Sequence, residues 1–232
     1  MFNLLVLAVS WVSVVEAQQA IRKPRIDDAI FANIYADNSF KLYINGDLVA
    51  VDSISFVPHN VVSVDLLPAY PMTIAVMAVD NADPETGMEY ANTNIGDGGF
   101  ILKLGDGTVT NDQWKAMKVS WGPVDGDTDN PPVENVPLPR NWFGVVFDDS
   151  KWPKAKEYSQ EEIGPKQPYF YTDFSDAKFI WSDDLKLDNV VLFRKVVESP
   201  PDGKTRPDFR KLNDLVPQRG EKRRAPRKRR EN

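Results

Sequence analysis

The chain has 232 residues, 42% of them hydrophobic and 11% aromatic, enough for one sizeable core or two small ones. It contains no cysteine and a single histidine, His59, which excludes a disulfide scaffold, thiol chemistry, zinc–thiolate sites and any two-histidine metal centre. Its charge is split: residues 203–232 carry 12 Lys+Arg against 4 Asp+Glu, a net of +8, which leaves −14 on residues 1–202 out of −6 overall.

Residues 1–17 read as a secretory leader. Apolar runs at 4–9 and 11–15 lead to Val15-Glu16-Ala17, a small-x-small cleavage pattern, although no Lys or Arg precedes them. The run is short for a membrane span of ~20 residues, and no later segment is long and apolar enough to cross one. The expectation is a secreted, extracellular protein with no transmembrane segment after cleavage. There is no Asn-x-Ser/Thr sequon, so no N-glycosylation is expected. Residues 18–29 form a lead segment.

The first clear element is a hairpin. Phe40, Leu42 and Ile44 alternate with Lys41 and Tyr43, a period-2 strand with one buried face. Asn45-Gly46 supplies a type I′ turn, and Leu48-Val49 starts the return strand. Asp37-Asn38 is a turn opener, since both side chains can bond nearby backbone amides. Short β-branched runs follow at 61–66 and 72–79. Gly98-Gly99 and Gly105-Asp106-Gly107 bound a strand at 100–104, and 115–121 reads as another. A Pro- and Asp-rich connection spans about 122–141, a length that is usually functional or mobile. A helical turn is expected near 158–162. Strands at 179–181 and 189–197 close the pattern, the last so continuously apolar that it is expected to be buried on both faces. The fold class is all-β, an antiparallel sandwich or barrel.

Three stretches, "ADNSFKLYING" at 36–46, "FDDSKWPKA" at 147–155 and "IWSDDLKLDNVVLFRK" at 180–195, resemble the galactose-binding-domain-like family. The resemblance implies a jelly-roll β-sandwich over residues 30–199 and a binding role, usually toward carbohydrate, with ligands held by loops at one end or on a concave face. It carries no shared set of binding residues. Within the motifs, Asp148 and Asp149 are expected to bond amides of their own loop, and Trp152 to pack over a sheet edge.

Enzymatic chemistry finds little support. His59 follows Pro58 in a loop, as a surface histidine would, and no Gly-x-Ser-x-Gly accompanies it. The Gly-rich stretch 96–99 precedes a strand rather than the helix a phosphate loop needs. The chain is therefore read as a non-enzyme, with a two-carboxylate glycoside hydrolase as an alternative. Trp142, Phe143, Tyr169 and Tyr171 sit in dense aromatic clusters beside turn residues and are the candidate carbohydrate contacts, since rings stack on sugar C–H faces. Asp125, Asp127 and Asp129 place carboxylates at alternate positions, the spacing that opens an EF-hand loop. Asn130 at the sixth position, the prolines after it and Val136 at the twelfth end that match. A looser structural calcium, which the resemblance also allows, is the one cofactor considered, and a solvated acidic loop is the favoured alternative.

Residues 200–232 are expected to form a disordered basic tail. Its end, Arg227-Lys228-Arg229-Arg230, fits a convertase-type processing pattern and suits a sulfated polysaccharide or other polyanion. With a leader at the other end, no nuclear role and no nucleic-acid partner are expected. The partner is read as a glycan or glycoprotein, with a structural or adhesive matrix role for the acidic body and basic tail as the alternative.

Overall fold

The computed structural model describes residues 23–52 and 60–210. The leader, His59 and the basic run 227–230 lie outside the described residues. In chain order the strands are β1 (Ile30–Asp37), β2 (Ser39–Ile44), β3 (Asp47–Val51), β4 (Asn60–Leu66), β5 (Met72–Val79), β6 (Met88–Glu89) and β7 (Asn94–Ile95). There follow β8 (Gly99–Leu104), β9 (Lys115–Trp121), β10 (Glu134–Asn135), β11 (Lys156–Tyr158), β12 (Phe179–Trp181) and β13 (Asp188–Val197). One four-residue helix, α1 (Gln160–Ile163), starts at a reciprocal cap in which Ser159 and Glu162 bond each other's backbone amides.

The strands build an antiparallel β-sandwich. A five-stranded sheet runs β11-β12-β8-β1-β4 and a six-stranded sheet runs β10-β9-β13-β5-β2-β3. The chain alternates between them from β4 to β5 to β8 to β9, and again from β12 to β13. The core follows from alternation. Ile30, Ala32, Ile34 and Ala36 of β1 face Phe40, Leu42 and Ile44 of β2 and Met72, Ile74, Val76 and Ala78 of β5 in one buried cluster. Phe100 of β8 stacks on Phe193 of β13 with centroids 5.3 Å apart, tying the centres of both sheets together.

The hairpin turn is as the sequence predicts. Asn45 and Gly46 have φ of 52° and 93°, and β3 is the sheet edge. The Asn45 side chain also accepts from the Thr73 amide and donates to the Ala69 carbonyl, each at 2.9 Å, so the turn is fastened to the start of β5. β1, for which no strand was expected, is central in its sheet. Its alternate alanines weaken the apolar signal, yet they allow close packing between the sheets.

The outer face of the six-stranded sheet is buried too. Ala75, Leu192 and Val119 on that face pack against Trp142 and Trp152, with Tyr43, Val136, Phe143 and Phe147 around them. Residues 142–152, which follow the Pro-rich connection, thus form a packed cover, because their aromatic side chains have an apolar sheet face to meet. This is why β13 is apolar on both faces. The expected boundary at 199 also shifts. The Asp202 amide donates to the Asp106 carbonyl at 3.0 Å, Arg206 pairs with Asp202 at 2.5 Å, and Phe209 is buried. Residues 200–210 are seated on the body, and the rest of the basic segment lies outside the described residues.

Candidate functional site

Two of the three family-like stretches, 147–155 and 180–195, meet at one buried cation. Arg194 of β13 is 1% exposed. Its Nε donates to Asp149 Oδ2 at 2.8 Å, its Nη1 donates to the Trp142 carbonyl, and its guanidinium lies 5.2 Å from the Phe147 ring centre. Asp148 behaves as expected, accepting from the Ser150 amide at 3.0 Å. Asp149 does not: it reaches across to β13. Sequence reading missed this pair because 45 residues separate its members. The available signal was an arginine inside an otherwise apolar strand, which demands a partner.

The aromatic candidates divide between two places. Trp142 is buried, edge-on to Tyr43 at 5.5 Å, and Phe143 stacks on Tyr43 at 4.6 Å. Both belong to the cover over the six-stranded sheet, so the faces of the Trp142 ring are already occupied by protein. The second cluster is arranged otherwise. Tyr169 packs against Tyr35, Phe174 and Phe179 with centroid distances of 5.8, 5.3 and 5.2 Å. It anchors a 3-10 turn, Tyr169–Tyr171, from which Phe170 is 54% and Tyr171 78% exposed. Gln167 donates to the Tyr171 hydroxyl at 2.9 Å. Two rings are therefore offered to solvent from a base fixed by packing.

A separate cleft of about 360 Å³ opens where the sheets part between β9 and β11, lined by Ala116, Lys118, Pro153, Lys154, Lys156, Ser182 and Asp183. Lys118 pairs with Asp188 at 3.0 Å; burial pulls its pKa down, but Asp188 and Asp183 outweigh it and the net shift is upward. Lys154 reaches Gln113 at 3.3 Å and Lys156 sits 4.7 Å over the Tyr158 ring. Neither has a carboxylate within ion-pair distance among the described residues, so both ammonium groups are available to an anion.

The carboxylates of the Asp125–Asp129 loop do not converge. All three residues are exposed, and Asp127 Oδ1 is taken by the amides of Asp129 and Asn130, each at 3.1 Å. A cluster of buried acidic residues lies elsewhere, at the sandwich end where β1 passes into β2 and β5 leads toward β8. There Asp37, Asp80 and Glu89 are buried, and Asp97 adds its charge to Asp80.

No protein-family model matches the chain, and neither a curated protein nor a solved structure matches it. The fold itself defines the class, an antiparallel all-β sandwich. Among the described residues no helix is long and apolar enough to cross a membrane.

Proposed function

We propose that this chain is a secreted, non-enzymatic sandwich of the galactose-binding-like kind that binds carbohydrate through the Tyr169–Tyr171 turn. The observation that carries this reading is the exposed Phe170 and Tyr171 pair on a base anchored by Tyr169. A sugar stacks its C–H face on a ring that is already held still, so little side-chain entropy is lost on binding. Trp142 and Phe143 act as scaffold in this reading, not as contacts.

A second reading rests on the lysine-lined cleft. Lys154 and Lys156 suit a carboxylate or sulfate, and with the basic residues 227–230 they would favour a polyanionic partner at a matrix surface. Salt separates the two, because stacking survives high ionic strength and exposed charge pairs do not. The test is a glycan screen of the full chain at low and high salt, with Tyr171→Ala and with Lys154→Ala/Lys156→Ala. Salt-resistant binding that falls about tenfold in Tyr171→Ala supports the stacking site. Binding that disappears at high salt and in the lysine variant, but not in Tyr171→Ala, moves the function to the cleft.

A further inference from the structure

The basic end of the chain is preceded by a short stretch of different character. Phe209-Arg210 is followed by Lys211-Leu212-Asn213-Asp214-Leu215-Val216-Pro217, in which Leu212, Leu215 and Val216 are the last large apolar side chains of the sequence. Residues 211–232 carry 9 Lys+Arg against 3 Asp+Glu, a net of +6. Phe209 and Arg210 open a helical turn. Asp208 caps it, since its Oδ1 accepts from the Arg210 amide at 3.1 Å, the bond an N-cap side chain makes to the second helical position. At 3.6 residues per turn, Phe209, Leu212 and Val216 fall on one side of such a turn, and Pro217 ends it.

Arg210 stands at the wall of an open groove of about 410 Å³ between the free edges of the two sheets. Asp47 and Val49 of β3, Asp65 and Leu66 of β4, and Leu67 line it with Arg210. Phe209, one residue earlier, is 6% exposed, so the described chain ends at an anchored point on the groove. The rim is apolar and open: Val49 is 39% and Leu67 41% exposed, with Leu48 and Val51 of β3 exposed beside them. An apolar sheet edge of this kind invites another segment to pack on it. Arg210 itself is paired with Asp208 at 3.2 Å. Neither Asp47 nor Asp65 has a lysine or arginine within ion-pair distance among the described residues, so the groove combines apolar walls with two uncompensated carboxylates.

We propose that residues 211–216 of this same chain fill the groove, with Leu212 and Val216 seated against Val49, Leu66 and Leu67, and so strap the open edges of the two sheets together. The occupant is selected by reach, by shape and by charge. Leu212 and Val216 lie two and six residues past Arg210, rises of ~3 and ~9 Å in a helix, so the segment needs no linker to arrive. Its apolar side chains suit the walls, and the net positive charge of residues 211–232 suits Asp47 and Asp65. A second copy of the chain brings no such tethering, since a segment already attached at the groove acts at high effective concentration. The strap is independent of the sugar-binding turn and of the lysine-lined cleft.

The chain has no cysteine, so one introduced thiol reports on one position. The test is the rate at which iodoacetamide alkylates Leu67→Cys in the full chain, with and without Leu212→Ser/Val216→Ser, at low and high salt and over a dilution series. Leu138→Cys, which replaces a residue 52% exposed outside the groove, is the control. The expected result is that the thiol at position 67 reacts about tenfold more slowly while Leu212 and Val216 are present. That protection should persist at high salt and on dilution, and the control thiol should react equally in both backgrounds. Equal rates at position 67 with and without the serine pair overturn the strap. Protection that fades on dilution overturns it too, because it assigns the groove to a second copy. So does protection that survives the serine pair but is lost at high salt, because it assigns the groove to the basic run instead of the apolar segment.

Discussion

Arg194 and Asp80 are buried to almost the same degree, 1% and 2% exposed, and are treated in opposite ways. The arginine has a carboxylate, a carbonyl and an aromatic face arranged around it. The aspartate has the Glu89 carboxyl beside it and no lysine or arginine within ion-pair distance among the described residues. A fully partnered buried ion belongs to the architecture, here fastening the aromatic cover to β13. A buried ion left without compensation costs stability unless something outside the polypeptide supplies the missing charge. The fold spends its polar partners on the cation and leaves the Asp80 carboxyl beside a second acid, where burial and its acidic neighbours keep the proton on.

The contrast can be broken most forcefully at Arg194. Arg194→Met removes the guanidinium that holds Asp149 and the Trp142 carbonyl, and should cost about 3–5 kcal/mol in urea unfolding. A loss under ~0.5 kcal/mol would mean that the cover is held by its aromatic packing alone.

A pH-dependent effect is expected at the other pole. The Asp80 carboxyl ordinarily releases its proton near 3.8, and in the folded state holds it to about 9. The folded state therefore binds more protons in between. The contribution is fully present below pH 3.8 and is lost as pH rises toward 9, with a slope of at most ~1.4 kcal/mol per unit. Asp80→Asn should flatten the profile measured by urea unfolding across that window; an unchanged slope would place the titrating group elsewhere.

Asp149→Asn sharpens the comparison from within the partnered site. It keeps an acceptor for Arg194 but removes the charge, so a loss of about 1–2 kcal/mol is expected, smaller than for Arg194→Met. An equal loss would show the charge, not the cover's hydrogen bonds, to be decisive. The least effect on stability belongs to Lys156→Ala in the open cleft, within about ±0.5 kcal/mol. There solvent already supplies the partners, and any change should fall on the binding of anionic sugars.

Much of the scaffold was legible in the residue pattern. Alternation and turn chemistry predict β5, β9 and β12 at their observed limits, and the Asn45-Gly46 hairpin with its buried face. β1 was harder to see, because the alanines that let the sheets approach are poor indicators of a strand. The aromatic candidates looked equivalent in sequence. Trp142 and Phe143 are covered by Tyr43, while Phe170 and Tyr171 stay exposed. The spaced aspartates of the 125–129 loop gave a clear sequence signal for calcium, yet all three are exposed. Spacing reports which oxygens could converge, not whether water is kept away from them.

The sequence by itself determined the class of fold, the Asn45-Gly46 turn of the hairpin and the division of charge, because these depend on period, turn residues and composition, which are local or additive. Only the tertiary structure decided which of 34 acidic residues lost their water, which aromatic pair faced solvent, and that Asp149 would meet Arg194. Those outcomes depend on what the second sheet and the connections crossing it lay over each side chain, and burial of that kind is set by residues far apart in the chain.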